Sequence, residues 1–265
     1  LYDWSMWIQA NDDNARAMAS TLMALSPGHD PGEEIVPGSP VRVSVEDARG
    51  IPSIVTDYAG QVPINHASAS LRRMIALAYM LTWTWSEHRV ASELRGDELS
   101  GQMVMLFDEV ESHLHPRWQR SILKALRDIG AVFGTGVDLQ LVVSTHSPLV
   151  LASAESWFDP DCDAWFDLDV VGEPRRAQIQ RRNYTPHGTA GSWLMSEAFD
   201  LATDRSLEAE RAVLRAREIV RQTGPEPPTL QEEMAVHDQL REALPDIDRF
   251  WVRWNAFVER MGRTP

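Results

Sequence analysis

Two short apolar runs, each closed by polar groups that buried strands rarely carry, constrain this chain more than any other feature. Met103-Val104-Met105-Leu106-Phe107 leads into Asp108-Glu109, and further on Leu139-Gln140-Leu141-Val142-Val143-Ser144-Thr145 leads into His146-Ser147-Pro148. The first run has the pattern of a central strand in a parallel sheet. Between the two runs Pro116 opens a helix, at a position where its missing N–H costs nothing. Trp118, Ile122, Ala125, Leu126 and Ile129 fall on one face of that helix and Gly130 closes it. Strand, helix, strand over about forty residues is a βαβ unit, whose strands run parallel through a right-handed crossover.

Both strands therefore end at one edge of the sheet. Side chains at the carboxyl ends of parallel strands point into the crevice where α/β sheets bind ligands. An acid at the mouth of a buried strand costs several kcal/mol unless a cation lies beside it. No lysine is near, and Mg²⁺ takes oxygen ligands. Asp108 is thus a candidate Mg²⁺ ligand through water, and Glu109 a candidate for orienting and deprotonating an attacking water. His146 emerges on the same edge, within reach of a γ-phosphate or that water. Taken singly, Asp-Glu can simply end a strand and the histidine can be structural; their matched placement favours phosphate chemistry.

A third element lies upstream, in Asn65-His66-Ala67-Ser68-Ala69-Ser70-Leu71-Arg72-Arg73. It precedes a long apolar stretch, residues 69–90, that holds no glycine or proline and reads as a buried helix. Ser68 and Ser70 are plausible N-caps. A helix N-terminus also presents free N–H groups and a positive dipole end, which suits phosphate.

Composition narrows the function classes. The 265 residues are 43 % hydrophobic and 24 % charged, ordinary globular values that allow one large domain or two small ones. No run of eighteen apolar residues is present, so no membrane-spanning helix is expected. The net charge of −14 means that nucleic acid is not bound through the overall field; contact needs a local basic patch or a partner chain. The single cysteine, Cys162, permits no intrachain disulfide and makes the cytoplasm the default location. The single lysine, Lys124, stands against 24 arginines and has neither a glycine before it nor a hydroxyl after it. The chain therefore contains no G-x-x-x-x-G-K-[ST] phosphate loop. It begins at Leu1 rather than methionine, and the expectation is that it is the later part of something longer.

Along the rest of the chain, a helix is expected from Asn14 to Leu25, an exposed loop over 27–40, and short strands in VRVSV, IPSIVTDY and QVPI, with turns at Ala48-Arg49-Gly50 and Ala59-Gly60. Residues 91–102 read as a loop. AWFDLDVV and AQIQRRN form a small hairpin, and helices follow over 191–201, 205–222, 229–243 and 246–261, interrupted at Gly224-Pro225 and Pro227-Pro228. Three regions result: residues 1–60, with a helix, a loop and short strands; 61–185, which hold the chemistry; and 186–265, a helical region.

In this order the three elements resemble the C-terminal half of an ABC-class ATPase of the SMC/OLD-like branch. VMLFDEVESHLHP is similar to a Walker B strand with its catalytic glutamate and D-loop, LVVSTHSP to the switch-histidine strand, and HASASLRR to a variant of the ABC signature found in bacterial defence ATPases. The helical tail, GSWLMSEAFDLATDRSLEAE, bears a weaker likeness to ATPases of Septu-type and retron-associated antiphage systems. The resemblance implies an α/β fold, the C-terminal lobe of an ABC-type P-loop ATPase with parallel strands, followed by a helical tail. It implies ATP and Mg²⁺ as cofactors, Asp108 as the Mg²⁺-organising aspartate, Glu109 as general base and His146 as switch histidine. Ser112 and His113 would lie in a D-loop that touches a partner subunit, and Ser68 would contact the γ-phosphate bound by that opposing subunit. Ser70 stands where the family usually has glycine, which puts a side chain where backbone should approach phosphate. Walker A and the Q-loop would lie N-terminal to Leu1. The implied partners are a second ATPase head, a nuclease as effector and, through a partner, DNA, in antiphage defence or DNA maintenance. The competing class is a catalytically inactive, ATPase-like regulator or scaffold, to which Ser70 and the missing phosphate loop point.

Other features lead elsewhere. Asp108, His113 and His115 do not make a convincing zinc set, because such sites need three or four converging ligands. Asp159, Asp161 and Asp163 resemble the acids of a TOPRIM nuclease, but no upstream glutamate motif accompanies them and a solvated loop is the simpler account. Those acids should raise, not lower, the pKa of Cys162. Arg175, Arg176, Arg181 and Arg182 form the densest basic patch, suited to nucleic-acid phosphate or, more simply, to solvent and ion pairing with the acidic tail.

Overall fold

The computed structural model describes residues 2–28, 34–45, 50–57, 59–134, 137–221 and 229–262. The chain divides into two compact units, residues 1–193 and 194–265.

The first unit opens with two helices, α1 (Tyr2–Ala10) and α2 (Asp13–Ala24). Asp12 separates them by capping α2, its carboxylate accepting from the Ala15 N–H at 2.9 Å. A single helix from Asn14 was expected; the additional α1 exists because Trp4 and Trp7 bury their rings in the core. An antiparallel sheet follows, with β1 (Val36–Val41), β2 (Ile51–Thr56) and β3 (Gly60–Pro63) in that order. Sequence alone makes a loop of the stretch before Val41 and starts the strand at that residue; instead the strand runs over Val36-Pro37-Gly38-Ser39-Pro40-Val41 and ends there. Its prolines are tolerated because β1 is a sheet edge with a register break between Gly38 and Val41. Gly38 is required by close packing, since a Cβ there would meet the Ser53 hydroxyl at 2.5 Å. The Ser53 hydroxyl and the Gln61 amide both donate to the Ser39 carbonyl, at 2.7 and 2.6 Å. The turn expected at Ala48-Arg49-Gly50 lies largely outside the described residues.

A short 3₁₀ turn, Ile64–His66, leads into α3 (Ala69–Arg95). Ser68 caps its start and Gly96 closes it in the left-handed region at φ 71°. The helix runs through half of what was read as the 91–102 loop, because residues 91–95 carry no breaker before that glycine. Met74, Ile75, Ala78, Thr82 and Ser92 are its buried residues, and it packs along α2.

The two apolar runs are β4 (Gln102–Phe107) and β5 (Asp138–Val143), paired parallel in register from Gln102 opposite Asp138 to Phe107 opposite Val143. The connection is helical but not one helix. It is broken into α4 (Pro116–Gln119), α5 (Ile122–Asp128) and α6 (Gly130–Phe133). Gly130 begins α6 instead of ending the crossover. Ile122, Leu126 and Ile129 join Trp4, Met18, Leu22, Ile54, Met74 and Met105 in one core. Among the described residues the parallel sheet has two strands, so neither is central. Met103, Met105 and Phe107 pack inward, whereas Val104, Leu106 and Val142 on the opposite face are 61 %, 74 % and 49 % exposed.

After β5 come α7 (Pro148–Ala154) and the antiparallel hairpin of β6 (Trp165–Val171) and β7 (Arg176–Arg182). Glu155, just past α7, gathers three donors on Oε1: the N–H groups of His187 and Gly188 and the Trp193 indole, at 2.7, 2.9 and 2.6 Å. Burial pushes its carboxyl up, but these hydrogen bonds outweigh it and hold the group below the usual glutamate range.

The second unit follows a short helix, α8 (Ala190–Leu194), and contains α9 (Leu207–Arg221), α10 (Leu230–Ala243) and α11 (Phe250–Arg260). The helix expected over 191–201 stops at Leu194. Trp254, Leu240 and Ala216 are fully buried at the centre of this unit. Thr229 and Glu232 form a capping box that starts α10. Arg205 pairs with Asp248 through two hydrogen bonds of 2.9 Å. The breaks expected at Gly224-Pro225 and Pro227-Pro228 lie outside the described residues.

Candidate functional site

The parallel register sets Phe107 opposite Val143, so the residues that follow each strand leave the sheet at one end. The Ser144 N–H donates to the Phe107 carbonyl at 2.8 Å and the Val110 N–H to the Ser144 carbonyl at 3.2 Å, which extends the pairing past both strand ends. Asp108 and His146 are thus on the same rim of the molecule.

The Ser144 hydroxyl donates to Asp108 Oδ1 at 2.5 Å and accepts the Glu109 N–H at 2.9 Å. Among the described residues no hydrogen bond reaches Asp108 Oδ2, the Glu109 carboxylate or the His146 ring. Both acids and the histidine are exposed. The sequence argument that a cation must offset their burial therefore does not apply. What stands in its place is orientation: one carboxylate oxygen is held and the rest of the oxygen set is open to solvent, a donor set that fits a hard cation such as Mg²⁺.

Glu109 adopts φ 47° and His113 φ 60°, left-handed values that a non-glycine residue keeps only where its surroundings enforce them. Here α3 does so. The Arg73 guanidinium donates to the Glu109 carbonyl at 3.1 Å and also to the Ser112 carbonyl. The Ser70 hydroxyl donates to the His113 carbonyl at 2.6 Å. Ser68 accepts the Leu71 N–H at 3.3 Å, an ordinary N-cap. The segment carrying Ser68 and Ser70 is thus fastened to the turn carrying Glu109, Ser112 and His113. All seven residues singled out from the sequence fall within one connected region.

Four residues of this region escaped the sequence reading: Arg73, Glu111, Gln119 and Ser144. Glu111 accepts the His146 N–H on Oε1 and the Thr145 hydroxyl on Oε2, both at 2.6 Å. The Ser147 hydroxyl donates to Gln119 Oε1 at 2.7 Å, while Gln119 Nε2 donates to the Leu114 carbonyl at 3.0 Å. The only local hint was a second acid two residues past Glu109.

The rejected alternatives have simple structural accounts. Two acids close their own loop: the Asp163 carboxylate accepts the Asp159 N–H at 2.8 Å and the Asp159 carboxylate the Asp161 N–H at 3.0 Å. Their charges, Asp159 foremost, push the exposed Cys162 thiol up. Arg182 pairs at 3.1 Å with Asp167 of the facing strand. Among the described residues no three His, Cys, Asp or Glu side chains are grouped to hold a metal ion. Lys124, the lone lysine, is paired with Asp128 at 2.6 Å on α5. Among the described residues no helix is long and apolar enough to cross a membrane.

Residues 29–152, which hold Asp108, Glu109, His146 and the side chains that position them, match the family "AAA domain, putative AbiEii toxin, Type IV TA system". The chain is 41 % identical over 58 residues to the Retron Vc95 probable ATPase of Vibrio cholerae serotype O1 biovar El Tor, and 31 % identical over 104 residues to the Retron Ec83 probable ATPase of Escherichia coli. The aligned segments are 22 % and 39 % of this chain but 10 % and 16 % of those proteins, so the chain spans a small part of the curated relatives it matches. A solved structure from work on ATP-driven dimerization and DNA-stimulated activation of SMC ATPases aligns over 68 % of this chain and 89 % of that one, with 12 % identity and a TM-score of 0.42.

Proposed function

The site-bearing segment is related in sequence to AAA-type ATPase domains, and we propose that it supplies the hydrolytic residues of an ABC-type ATPase. The observation that carries this reading is the shared rim of Asp108, Glu109 and His146, held by Ser144 and by the parallel register of β4 and β5. Asp108 would hold Mg²⁺, through water, on the carboxylate oxygen that Ser144 leaves open. The ion, when bound, neutralises charge developing on the phosphates. Glu109 orients an attacking water and takes its proton, and His146 contacts the same water or the terminal phosphate. The phosphate loop that would complete the nucleotide site is not encoded within these residues, and Lys124 does not substitute for it.

Ser112 and His113 sit on the turn that would face a second ATPase head. In the resemblance stated above, such heads enclose two nucleotides, so the output of hydrolysis is a change in the pairing of heads passed to an effector such as a nuclease. A role in antiphage defence or DNA maintenance rests on likeness to the two retron ATPases.

The alternative is a catalytically inactive regulator, to which a side chain at position 70 in the signature-like segment points; the hydroxyl of that Ser70 donates to the His113 carbonyl of its own chain. ATP turnover by the full-length gene product separates the two. The ATPase reading expects Mg²⁺-dependent hydrolysis that Asp108→Ala abolishes; nucleotide binding without turnover in the wild type would establish the regulator.

A further inference from the structure

The site has a part that none of its proposed chemistry uses. Glu111 is half-buried and is itself assigned to neither metal, water nor phosphate, yet it makes two of the shortest side-chain hydrogen bonds of the region. Its Oε1 accepts the His146 N–H at 2.6 Å and its Oε2 the Thr145 hydroxyl at 2.6 Å. The Thr145 hydroxyl in turn accepts the Ser147 N–H at 3.0 Å. Three consecutive residues around the histidine thus depend on one carboxylate.

The backbone that carries Glu111 is fixed from the other side. Arg73 donates to the carbonyls of Glu109 and Ser112, and Ser70 to that of His113. Within the turn, the Ser112 N–H reaches the Glu109 carbonyl at 2.9 Å and the Leu114 N–H the Glu111 carbonyl at 2.8 Å. Beside the Ser144 contacts to Glu109 and Val110, Glu111 is therefore the side chain of the turn 109–114 that reaches the backbone of His146 itself. From this geometry we infer that Glu111 is a positioning residue, which fixes His146 relative to Glu109 and makes the histidine loop and the 109–114 turn move as one body. The consequence for turnover rests on the ATPase reading; the placement of His146 does not.

A carboxylate suits this task for a definable reason. Its two donors, an N–H and an O–H, require two acceptors, and an ionised glutamate offers one on each oxygen. Glutamine offers one acceptor. Its NH₂ would face the Thr145 hydroxyl, which then loses the oxygen it donates to. Glu111→Gln should keep the His146 bond and lose the Thr145 bond, whereas Glu111→Ala loses both.

Two readouts test this. The first is hydrogen exchange at the His146 amide by NMR, in this chain. The expected result is acceleration of at least about tenfold in Glu111→Ala, a smaller change in Glu111→Gln, and unchanged exchange within β4. Unchanged exchange at His146 in a Glu111→Ala variant that has kept its β4 protection overturns the inference, and Glu111→Met, which removes both acceptors but keeps the side-chain length, is read in the same way if Glu111→Ala does not fold. The second readout is steady-state ATP hydrolysis by the full-length gene product. Glu111→Ala should lower kcat about as far as His146→Ala, keep KM within about twofold, and add nothing to His146→Ala in the double variant. Multiplicative losses, or wild-type kcat in Glu111→Ala, overturn the positioning role. A wild type that does not turn over ATP removes the ATPase reading alone, because exchange at His146 still decides the clamp.

Discussion

The Ser144 hydroxyl lies 2.5 Å from Asp108 Oδ1 and 2.9 Å from the Glu109 N–H, so one side chain just beyond β5 holds both acids that follow β4. It donates to the first and accepts from the second, which leaves Asp108 a single free oxygen facing outward. Ser144→Ala should release that orientation while leaving the fold intact, since the group is exposed. In the full-length gene product the expected outcome is a loss of about tenfold in ATP turnover, partly recovered at higher Mg²⁺. A Mg²⁺ titration of kcat checks it; a wild-type curve would remove Ser144 from the site.

Arg73 spans two carbonyls with one planar guanidinium, a task lysine performs poorly because its charge is a single point. Arg73→Ala and Arg73→Lys should therefore weaken turnover alike, within about threefold of each other. Each should cost on the order of 1–3 kcal/mol in urea unfolding, the usual penalty for leaving a partly buried charge-assisted hydrogen bond unmade. Full rescue by lysine would show that charge, and not the pair of anchored carbonyls, is what matters.

How far this arrangement could be read beforehand depends on the distance over which its contacts act. The βαβ order and the common rim of Asp108 and His146 follow from a local pattern, apolar runs ending in polar groups, joined by the topological rule for parallel strands. The Ser68 cap is equally local. By contrast, Glu111 and Arg73 act on main-chain atoms 35 and 39 residues away along the chain, and nothing in their own neighbourhoods announces those partners. The β1 strand was missed because proline and glycine signal a turn in isolation, whereas Ser53 and Gln61 make an edge strand of them. The crossover was read as one helix because its apolar period is continuous; the break at Arg120-Ser121 carries no glycine or proline to mark it. The exposure of Asp108 and Glu109 was also out of reach, since apolar residues before an acid say nothing about what covers the strand end.

Glu155 offers a pH test of the segment that follows His146. Its carboxyl is held below the usual glutamate range, so the folded state favours the ionised form. The stability it adds is complete above the free glutamate value of about 4.3 and is lost as pH falls through the lowered folded value. Thermal unfolding of wild type and Glu155→Gln should differ most at neutral pH and converge as pH falls below the free glutamate value and through the lowered folded one. Parallel curves across that range would contradict the assignment.

In the helical unit, Asp248 accepts two hydrogen bonds from Arg205 and a third, at 2.8 Å, from the Phe250 N–H at the start of α11. Its side chain is 12 % exposed and that of Arg205 25 %. The Arg205 guanidinium holds the Asp248 carboxyl below its ordinary value, against an opposing effect of burial. A double-mutant cycle of Arg205→Ala and Asp248→Ala in urea unfolding should return a coupling of about 1–2 kcal/mol. Asp248→Ala alone should cost more than Arg205→Ala, because it also uncaps α11. Equal single losses with no coupling would reduce the pair to a surface contact.

The central claim is that Glu109, at the end of β4, is the base of an ATP-hydrolysing site. The most direct measurement is the steady-state ATPase rate of the full-length gene product carrying Glu109→Gln, with nucleotide binding followed in parallel. Glutamine keeps the size of the side chain but cannot take a proton, so hydrolysis should fall by about a hundredfold or more while ATP is still bound. A Glu109→Gln protein that binds ATP and hydrolyses it at the wild-type rate would contradict the account.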